Sequence, residues 1–544
     1  MATGAASDVR MNYVVGSGPA GTMCAAALLE AGEPVTLLDV GRRLEPERFD
    51  IVRALQVREP EDWEPEEVAA IRDIQRHGSS AVDLKRTYGS NFPYALDRLS
   101  EIEQVGTKCT ISFARGGLSN VWGGGVLPFT PDELAEWPIG LEDLAPFYKS
   151  VAQLIPVTGE IDDLATTRPF YGEARPALRL SEQAEFVHRR LQTNREYLSA
   201  HGYTGGVARL AVHSTADHFE QGCRYCSLCL SGCPYGLIYR CDETLQLLRA
   251  RNLFKYQSGF KVRRIEEPDA DGIVIVGEDD TGAVRRLRGG RVFLACGVLS
   301  TVQIVLDSLD IPGADLRLPY PPYFLLPMMS FHNTDRPDQE RRHTLAQLFL
   351  EVHKPAESSH AMHLSYYSFD QLMKSRLSQI LGPLRIMSRP VEAVVLGRLA
   401  AVQGFLHGNE GGEISVSYRK SFGHEFGHLR LIGNVHHGAS RIIRRLVVDL
   451  ARRSGRTGLF PIFPMLTQGK PGDGNHIGGV FPMRDRPQRF ETDRLGRLQS
   501  FRRLHVVDGS VMTTVPAAPP TYTIMANAFR IGMETARSSG DFRR

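Results

Sequence analysis

The sequence predicts an α/β fold, and three neighbouring features near the N-terminus lead to that prediction. The apolar stretch Asn12–Val15 has the length of a short strand and is followed by a Gly-Ser-Gly-Pro-Ala-Gly loop at residues 16–21. Residues 22–31 are rich in alanine and leucine, which is typical of a helix, and Gly32 ends that helix. A second apolar strand, Val35–Leu38, completes a β-α-β unit of the Rossmann type.

The rest of the chain predicts further elements of both kinds. Residues 41–105 are charged and interrupted by proline and glycine, so we expect short helices and loops that form a cover. Residues 131–136, 141–155 and 441–453 have helical patterns. Alternating or β-branched and aromatic segments predict an antiparallel sheet, namely 345–352, 361–368, 401–407 and 413–418.

Composition excludes several classes of protein. A chain of 544 residues is expected to form two or three domains, and a net charge of +2 gives no reason to expect nucleic acid as a partner. We find neither a signal peptide nor an apolar stretch long enough to span a membrane. The sequence therefore predicts a cytoplasmic protein, in which clustered cysteines indicate metal binding rather than disulfides.

Four cysteines form a motif with the spacing of an iron–sulfur site. Cys223, Cys226, Cys229 and Cys233, with Pro234, follow the C-x2-C-x2-C-x3-C-P pattern of bacterial ferredoxins. A zinc site and a disulfide cluster are the alternatives. The first three cysteines are the predicted ligands. Cys233 or Cys241 would complete a [4Fe-4S] cluster, and without a fourth ligand the site would hold a [3Fe-4S] cluster.

The glycine-rich loop predicts a dinucleotide site. Its three glycines permit a tight turn, close approach to a pyrophosphate and close packing of helix on strand, while the helix N-terminus offers N–H groups to the phosphates. A carboxylate lies at the end of the second strand, where it would bind ribose hydroxyls. The predicted contacts in this unit are Gly16, Gly18, Pro19, Ala20, Gly21 and Asp39.

Three further segments resemble the glucose–methanol–choline (GMC) oxidoreductases, on the side of pyranose oxidase and cholesterol oxidase. They are the glycine-rich run 116–125, the returning strand and turn 293–301, and the C-terminal pair 505–510 and 521–526. The resemblance implies FAD as the cofactor. In some pyranose oxidases a histidine in the first segment attaches covalently to the flavin, and Val121 stands at that position here, so we expect non-covalent FAD. The implied contacts are Gly117, Ser119, Asn120, Val121, Val262, Ala295, Gly297, Asp508, Gly509 and Thr521.

The same resemblance implies a catalytic histidine. His476 lies in an Asn-His-Ile-Gly-Gly run at 475–479, similar to the element whose histidine faces the flavin and takes the proton of an alcohol. The family usually has a second polar residue before a Pro-x-x-Thr-Ile run, where this chain has Pro519. Proline has no side-chain hydrogen-bonding group. Asn120 and Thr521 are therefore the candidates for that second role.

These expectations combine into one architecture. A discontinuous Rossmann-type FAD-binding domain is predicted from residues 1–310 and 471–544, with a cover over 41–105 and a small cysteine-rich insertion at 217–241. A substrate domain with a mainly antiparallel sheet is predicted over 311–470. The resemblance implies hydride transfer from a hydroxyl of a sugar-like, aminocyclitol or polyol substrate to flavin N5. The cysteine motif adds a cluster through which the electrons would leave to a one-electron acceptor such as a ferredoxin.

Two alternatives stay open from the sequence. A reduced ferredoxin-like donor would reverse the flow and drive reduction of a C=C or C=O bond at the flavin. Zinc in the cysteine site would instead give a zinc-stabilised flavoprotein oxidase without an electron relay, or a non-catalytic scaffold.

Overall fold

The fold is described from a computed structural model that covers residues 11–72, 87–95, 102–215, 222–269, 272–368, 389–420 and 425–541. The strands are β1 (Asn12–Val15), β2 (Val35–Leu38), β3 (Glu103–Val105), β4 (Tyr203–Val207), β5 (Phe254–Gln257), β6 (Phe260–Asp269), β7 (Gly272–Asp279), β8 (Val284–Gly289), β9 (Arg291–Leu294), β10 (Asp315–Pro319), β11 (Tyr323–Ser330), β12 (Leu348–Val352), β13 (Met362–Tyr367), β14 (Leu399–Phe405), β15 (Glu413–Arg419), β16 (His428–Gly433), β17 (Leu459–Pro461), β18 (Thr467–Gln468) and β19 (Leu504–Val506).

The α-helices of the described residues are α1 (Pro19–Glu30), α2 (Pro46–Gln56), α3 (Pro65–Arg72), α4 (Leu141–Leu154), α5 (Glu182–Thr193), α6 (Arg195–Ser199), α7 (Cys241–Arg249), α8 (Val298–Leu309), α9 (Arg389–Arg398), α10 (His437–Arg452), α11 (Ser454–Thr457) and α12 (Thr521–Asp541). The helix predicted over 131–136 is a single 3₁₀ turn, Asp132–Leu134. No helix in the described part of the chain combines the length and the apolarity that a bilayer crossing requires.

A five-stranded parallel sheet organises the first layer. Its strand order is β19-β9-β1-β2-β5, and every neighbouring pair in it is parallel. The α/β fold with a parallel sheet is therefore confirmed. Its strands come from both ends of the chain and from its middle. Because all of them are parallel, their carboxyl ends lie at one edge, where such sheets bind ligands.

The C-terminal helix closes one face of this sheet. Helix α12 packs against α1 and α4. The contact with α1 is close at Gly532, where an added Cβ would lie 3.0 Å from the carbonyl oxygen of Cys24. The last helix of the chain therefore packs on the first, which brings its N-terminus to the edge where the glycine-rich loop lies.

A larger antiparallel sheet forms the second layer. Its order is β17-β11-β14-β13-β12-β4, with β18 also paired to β11. The predicted strands around 345–352, 361–368 and 401–407 all belong to it. The sheet also takes β4, at Tyr203–Val207, from the stretch predicted as FAD-binding domain, because β4 pairs with β12 over five residues. The exact division into domains stays a prediction.

Two smaller sheets complete the fold. One has the order β10-β15-β16-β3, and the other is the meander β6-β7-β8. Strand β3 lies at the end of the segment predicted as a cover and pairs in parallel with β16. The cover prediction therefore missed a strand, because three residues with only one-sided pairing carry little periodic signal in the sequence.

A fully buried ion cluster joins loops to the antiparallel sheet. Arg168 is 1% exposed. Its guanidinium donates to both carboxylate oxygens of Glu133 at 2.8 Å and to Glu351 at 2.6 Å. Burial alone would lower the pKa of Arg168, but the two carboxylates raise it, so the residue stays charged. Glu351 lies on β12, so the cluster fixes that strand to the loop that precedes α4.

We expect Arg168→Met to lower the free energy of unfolding by about 3–5 kcal/mol, because it leaves two buried carboxylates without their partner. Urea denaturation followed by circular dichroism measures the change. Arg189→Met is the matched control, since Arg189 is exposed and pairs with Glu185 on its own helix at 3.8 Å. The control should change stability by less than about 0.5 kcal/mol. Equal effects of the two substitutions would contradict the structural role of the cluster.

Candidate active site

A large cavity lies between the two layers. Its volume is about 970 Å³, at the upper end of the roughly 300–1,000 Å³ usual for ligand pockets. The carboxyl ends of β1 and β2 and the glycine-rich loop form one side. The faces of β11, β13 and β14 form the other side. The cavity therefore lies where a parallel sheet offers its binding edge and where the antiparallel sheet covers it.

The glycines of the first loop are needed for close backbone contacts. Gly16 has a φ of +100°, and a Cβ added there would lie 2.6 Å from the carbonyl oxygen of Ala295. At Gly21 an added Cβ would lie 1.8 Å from the carbonyl oxygen of Gly16. Gly18 is different, because its nearest neighbour would be the Cα of Gly117 at 4.0 Å. The sequence therefore packs α1 tightly on β1 and leaves a bare backbone facing the cavity.

Asp39 is placed as predicted, at the end of β2 and on the cavity wall. Its carboxylate accepts hydrogen bonds from the hydroxyls of Ser17 and Tyr256. Burial raises the pKa of Asp39 to about 7, although these hydrogen bonds act in the opposite direction. The two hydrogen bonds thus fix the position of the side chain at the end of β2. Ser17 and Tyr256 were not predicted from the sequence as partners of Asp39. Tyr256 lies on β5, which only the fold brings beside β2.

The second glycine-rich segment lies against the first. Gly117 has a φ of +58°, and its added Cβ would lie 3.2 Å from the Cα of Gly18. The hydroxyl of Ser17 accepts a hydrogen bond of 2.9 Å from the N–H of Gly116. These contacts join the two loops backbone to backbone. Gly117 and Val121 line the cavity, as predicted for cofactor contacts.

Two residues of the second loop do not reach the large cavity. Ser119 is 2% exposed, and its hydroxyl donates to the carbonyl of Gly116 at 2.6 Å. The amide of Asn120 donates to the carbonyls of Arg115 and Gly117 at 3.0 and 2.8 Å. Both are absent from the described residues that line the large cavity, and both line a small neighbouring cavity instead. The amide of Asn120 is thus turned into its own loop, and its candidate catalytic role stays a prediction.

The remaining predicted cofactor residues meet on the cavity wall. Val262, Ala295, Gly297, Asp508 and Gly509 all line it. The Asp508 carboxylate accepts hydrogen bonds from the N–H of Gly297 at 2.9 Å and from the hydroxyl of Thr301 at 2.6 Å. Burial raises the pKa of Asp508, and its hydrogen bonds oppose that shift. The C-terminal motif is in this way tied to the N-terminus of α8.

His476 lies on the cavity wall in a loop after β18. Its ring stacks on Phe405 with a centroid distance of 4.5 Å and an interplanar angle of 24°. The preceding residue, Asn475, has a φ of +56° and accepts a hydrogen bond of 2.7 Å from the Thr110 hydroxyl. Phe405 and the loop geometry together fix the direction of the imidazole ring, as an acid–base role requires.

Pro519 and Thr521 also line the cavity. Thr521 is the first residue of α12, where its hydroxyl and the free N–H groups of the helix end lie at the cavity edge. Pro519 lies close to the second glycine loop, because an added Cβ at Gly125 would lie 3.3 Å from its ring. Thr521 thus keeps both of its predicted roles as candidates, and the position of Pro519 offers no polar side chain.

Polar residues of the antiparallel sheet were missed from the sequence. His363, Ser365, Tyr367 and Gln403 face the cavity from β13 and β14. The hydroxyl of Tyr367 donates to Gln403 at 3.0 Å. The alternation of side chains along β13 predicts which residues share a face of the sheet. Only the tertiary structure shows which of the two faces lines the cavity.

The cysteine-rich segment packs beside the second glycine loop. Cys223, Cys226, Cys229 and Cys233 contact one hydrophobic cluster, and all are free thiols. The backbone winds tightly, with φ of +54° at Tyr225, +60° at Ser227 and +101° at Gly232. Burial raises the pKa of the Cys226 thiol well above its usual value, and the neighbouring cysteines raise it further. The four sulfur atoms are therefore close enough to influence one another.

Cys241 is placed elsewhere. It is the first residue of α7, is fully buried in the main core, and its N–H donates to Ser119 at 3.0 Å. The structure thus does not bring it to the other four cysteines. In the described ranges, no group of three or more His, Cys, Asp or Glu side chains is arranged so that it could hold a metal ion.

Comparison with known proteins agrees with this picture. No protein-family model matches the chain. The chain is similar to paromamine 6'-oxidase of Streptomyces fradiae, with 24% identity over 552 residues that cover 95% of this chain and 89% of that protein. It is also similar to the crystal structure of pyridoxine 4-oxidase from Mesorbium loti, with a TM-score of 0.59, 15% identity, and coverage of 96% of this chain and 98% of that one. The second likeness shows a shared fold.

In its fold and in the motifs described above, the chain is similar to the GMC-type oxidoreductases. Enzymes of this class use FAD to oxidise CH–OH groups. The residues present fit that cofactor, because a bare glycine backbone at Gly18, the carboxylate of Asp39 and the N-terminus of α1 line one cavity.

Gly21→Ala should abolish FAD retention, because the new Cβ would overlap the backbone of Gly16 and displace α1 from β1. The ratio of flavin to protein absorbance in purified protein measures the loss. Gly455→Ala is the matched control, since an added Cβ there meets nothing within 4 Å. Full flavin content in Gly21→Ala protein would show that the loop does not hold the cofactor.

Proposed function

We propose that this protein oxidises a hydroxyl group of a sugar-like, aminocyclitol or polyol substrate, with His476 as the general base. One observation carries the proposal, namely that His476 and the dinucleotide-binding loop line the same cavity. FAD, when bound, takes up the hydride that leaves the alcohol carbon. The protein's own residues must then bind the substrate, remove its hydroxyl proton and exclude water.

His476 suits the removal of the proton. A neutral imidazole accepts a proton well near pH 7. The ring of His476 stacks on Phe405, which restricts its rotation. Thr521 lies on the same cavity and offers a hydroxyl that can hold the substrate oxygen. The role of the second polar residue is thus proposed for Thr521, since Asn120 is turned into its own loop.

The substrate class rests on the cavity wall and on the relatives. Polar side chains on β13 and β14 suit a molecule with several hydrogen-bonding groups. By their names, the relative from Streptomyces fradiae oxidises paromamine and the protein of the solved structure oxidises pyridoxine. Both names support alcohol oxidation, and the first supports an aminocyclitol-type substrate.

We expect one of four alcohols (paromamine, pyridoxine, glucose or myo-inositol) to bleach the flavin absorbance when mixed anaerobically with the purified holoprotein. His476→Ala should slow that bleaching by about 100- to 10,000-fold, because the hydroxyl proton loses its acceptor. Stopped-flow absorbance measures the rate.

His437→Ala is the control, since His437 is exposed at the start of α10 and does not line the cavity. It should bleach at the wild-type rate. Wild-type speed in His476→Ala protein would exclude His476 as the base, and a wild type that none of the four alcohols reduces would count against the oxidation.

We further propose that the cysteine segment holds an iron–sulfur cluster. Four thiols at the ferredoxin spacing are the donor set that such a cluster requires, and the N–H of Thr344 donates to the Cys229 sulfur at 3.4 Å. Amide hydrogen bonds of this kind accompany cluster sulfurs. Among the described residues no three of these thiols are arranged to hold a metal ion, so cluster binding would require their side chains to move.

The position of the segment supports a role in electron exit. Cys229 and Cys233 line the small cavity of about 20 Å³, together with Val121 and Trp122. These last two residues also line the large cavity, as does Leu230. A bound cluster would pass electrons singly to a cytoplasmic acceptor protein such as a ferredoxin. Cys233 is the proposed fourth ligand, because Cys241 lies in a different core.

Anaerobically purified protein should contain iron and acid-labile sulfide, and its visible spectrum should show a broad shoulder beside the flavin bands. Cys226→Ser should remove the iron and the shoulder while the flavin bands stay. Cys241→Ala is the control and should keep the iron. Elemental analysis that finds zinc without iron would replace the electron relay by a structural zinc site.

A further inference from the structure

Three side chains at the cavity form a hydrogen-bonded chain that the proposed reaction does not use. Nδ1 of His363 lies 2.6 Å from a carboxylate oxygen of Glu351, its neighbour across the β12–β13 pair. Nε2 of His363 lies 3.1 Å from the hydroxyl of Ser365, two residues along β13. The order of the chain is therefore carboxylate, imidazole, hydroxyl.

The far end of this chain is anchored. Glu351 is paired with the buried guanidinium of Arg168 at 2.6 Å. Burial would raise the pKa of Glu351, but the charge of Arg168 and the hydrogen bond from His363 outweigh it and lower the pKa to about 2. Glu351 is thus ionised at neutral pH and can only accept hydrogen bonds.

The ionised carboxylate sets the direction of every hydrogen in the chain. Since Glu351 only accepts, Nδ1 of His363 carries the proton and donates it. When His363 carries only this one proton, its Nε2 accepts and the hydroxyl of Ser365 donates to it. The oxygen of Ser365 therefore has its hydrogen turned away and its lone pairs available to a donor group in the cavity.

The position of Ser365 is that of a substrate contact at some distance from the base. His363 and Ser365 both line the cavity. Phe405, which stacks on His476, lies directly opposite His363 on β14, and Gln403 lies opposite Ser365. Ser365 is thus two residues further along β13 than the position opposite Phe405, the residue that supports the base. A substrate that spans both positions would therefore offer Ser365 a group other than the hydroxyl that His476 deprotonates.

The charge of the network favours one kind of donor. With one proton on His363, the group formed by Glu133, Glu351, His363 and Arg168 carries two negative charges and one positive charge, which leaves one net negative charge behind Ser365. Because the surroundings are buried, this charge is poorly screened. A cationic donor such as an ammonium group is therefore favoured over a neutral hydroxyl.

We propose that Ser365 is a specificity-determining residue that accepts a hydrogen bond from an ammonium or hydroxyl group of the substrate other than the one oxidised. His363 and Glu351 are positioning residues that fix the direction of the Ser365 hydroxyl. This assignment rests on the proposed alcohol oxidation and extends it, since it points to amino sugars as the preferred substrate class.

The test compares Ser365→Ala with Ser365→Thr in the holoprotein, using the same four alcohols. For paromamine, which carries amino groups, Ser365→Ala should raise the KM about 10- to 100-fold and leave kcat within about threefold, because a non-reacting contact is lost. Ser365→Thr keeps the hydroxyl and should restore the KM to within about threefold of wild type. Flavin content reports whether each variant is folded.

Two further variants separate a specific role from a structural one. Ser368→Ala is the matched control, because Ser368 is buried, bonds Gln347 and does not line the cavity. Its KM should equal that of the wild type. His363→Gln should raise the KM in the wild-type background and have no further effect in Ser365→Ala protein, since both act through one hydrogen bond.

An unchanged KM in folded Ser365→Ala protein would overturn the assignment while leaving the oxidation intact. A fall in kcat without a rise in KM, or an equal rise for myo-inositol and paromamine, would exclude the ammonium preference. Failure of the wild type with all four alcohols would overturn the proposed function and this assignment together.

Discussion

The close backbone contact between two glycine loops is the constraint on which the site depends. An added Cβ at Gly21 would lie 1.8 Å from the carbonyl oxygen of Gly16, which excludes any larger residue, and one at Gly117 would lie 3.2 Å from the Cα of Gly18. The first contact holds α1 against β1, and the second brings residues 116–125 to the same edge of the sheet. Since both loops expose backbone rather than side chains, a pyrophosphate can approach the N-terminus of α1 closely.

The antiparallel sheet supplies the row of side chains that faces the cavity opposite the parallel sheet. The edge of the parallel sheet provides backbone N–H groups and buried carboxylates, which suit a cofactor. The facing sheet provides side chains in register across β12, β13 and β14, where cross-strand neighbours lie about 5 Å apart. That spacing lets Glu351, His363 and Phe405 act as a row, with the buried ion pair to Arg168 behind it.

The cysteine segment shows which features of a metal site the spacing of cysteines predicts and which it does not. The interval between cysteines indicated a cluster, and the fold does bring Cys223, Cys226, Cys229 and Cys233 into one hydrophobic group. Spacing could not separate Cys233 from Cys241 as the fourth ligand, because the two are only eight residues apart. The start of α7 at Cys241 turns that residue into another core.

The sequence by itself determined the parallel sheet, the glycine loops, Asp39 and the approximate positions of most strands, because turn chemistry and hydrophobic periodicity are local properties. It also indicated His476 and Thr521, which the structure places on one cavity. Only the tertiary structure decided that Asn120 bonds its own loop, that Tyr256 reaches Asp39, and that Ser365 faces the cavity. The last two outcomes depend on pairing between strands far apart in the chain, and no local pattern encodes which strands will pair.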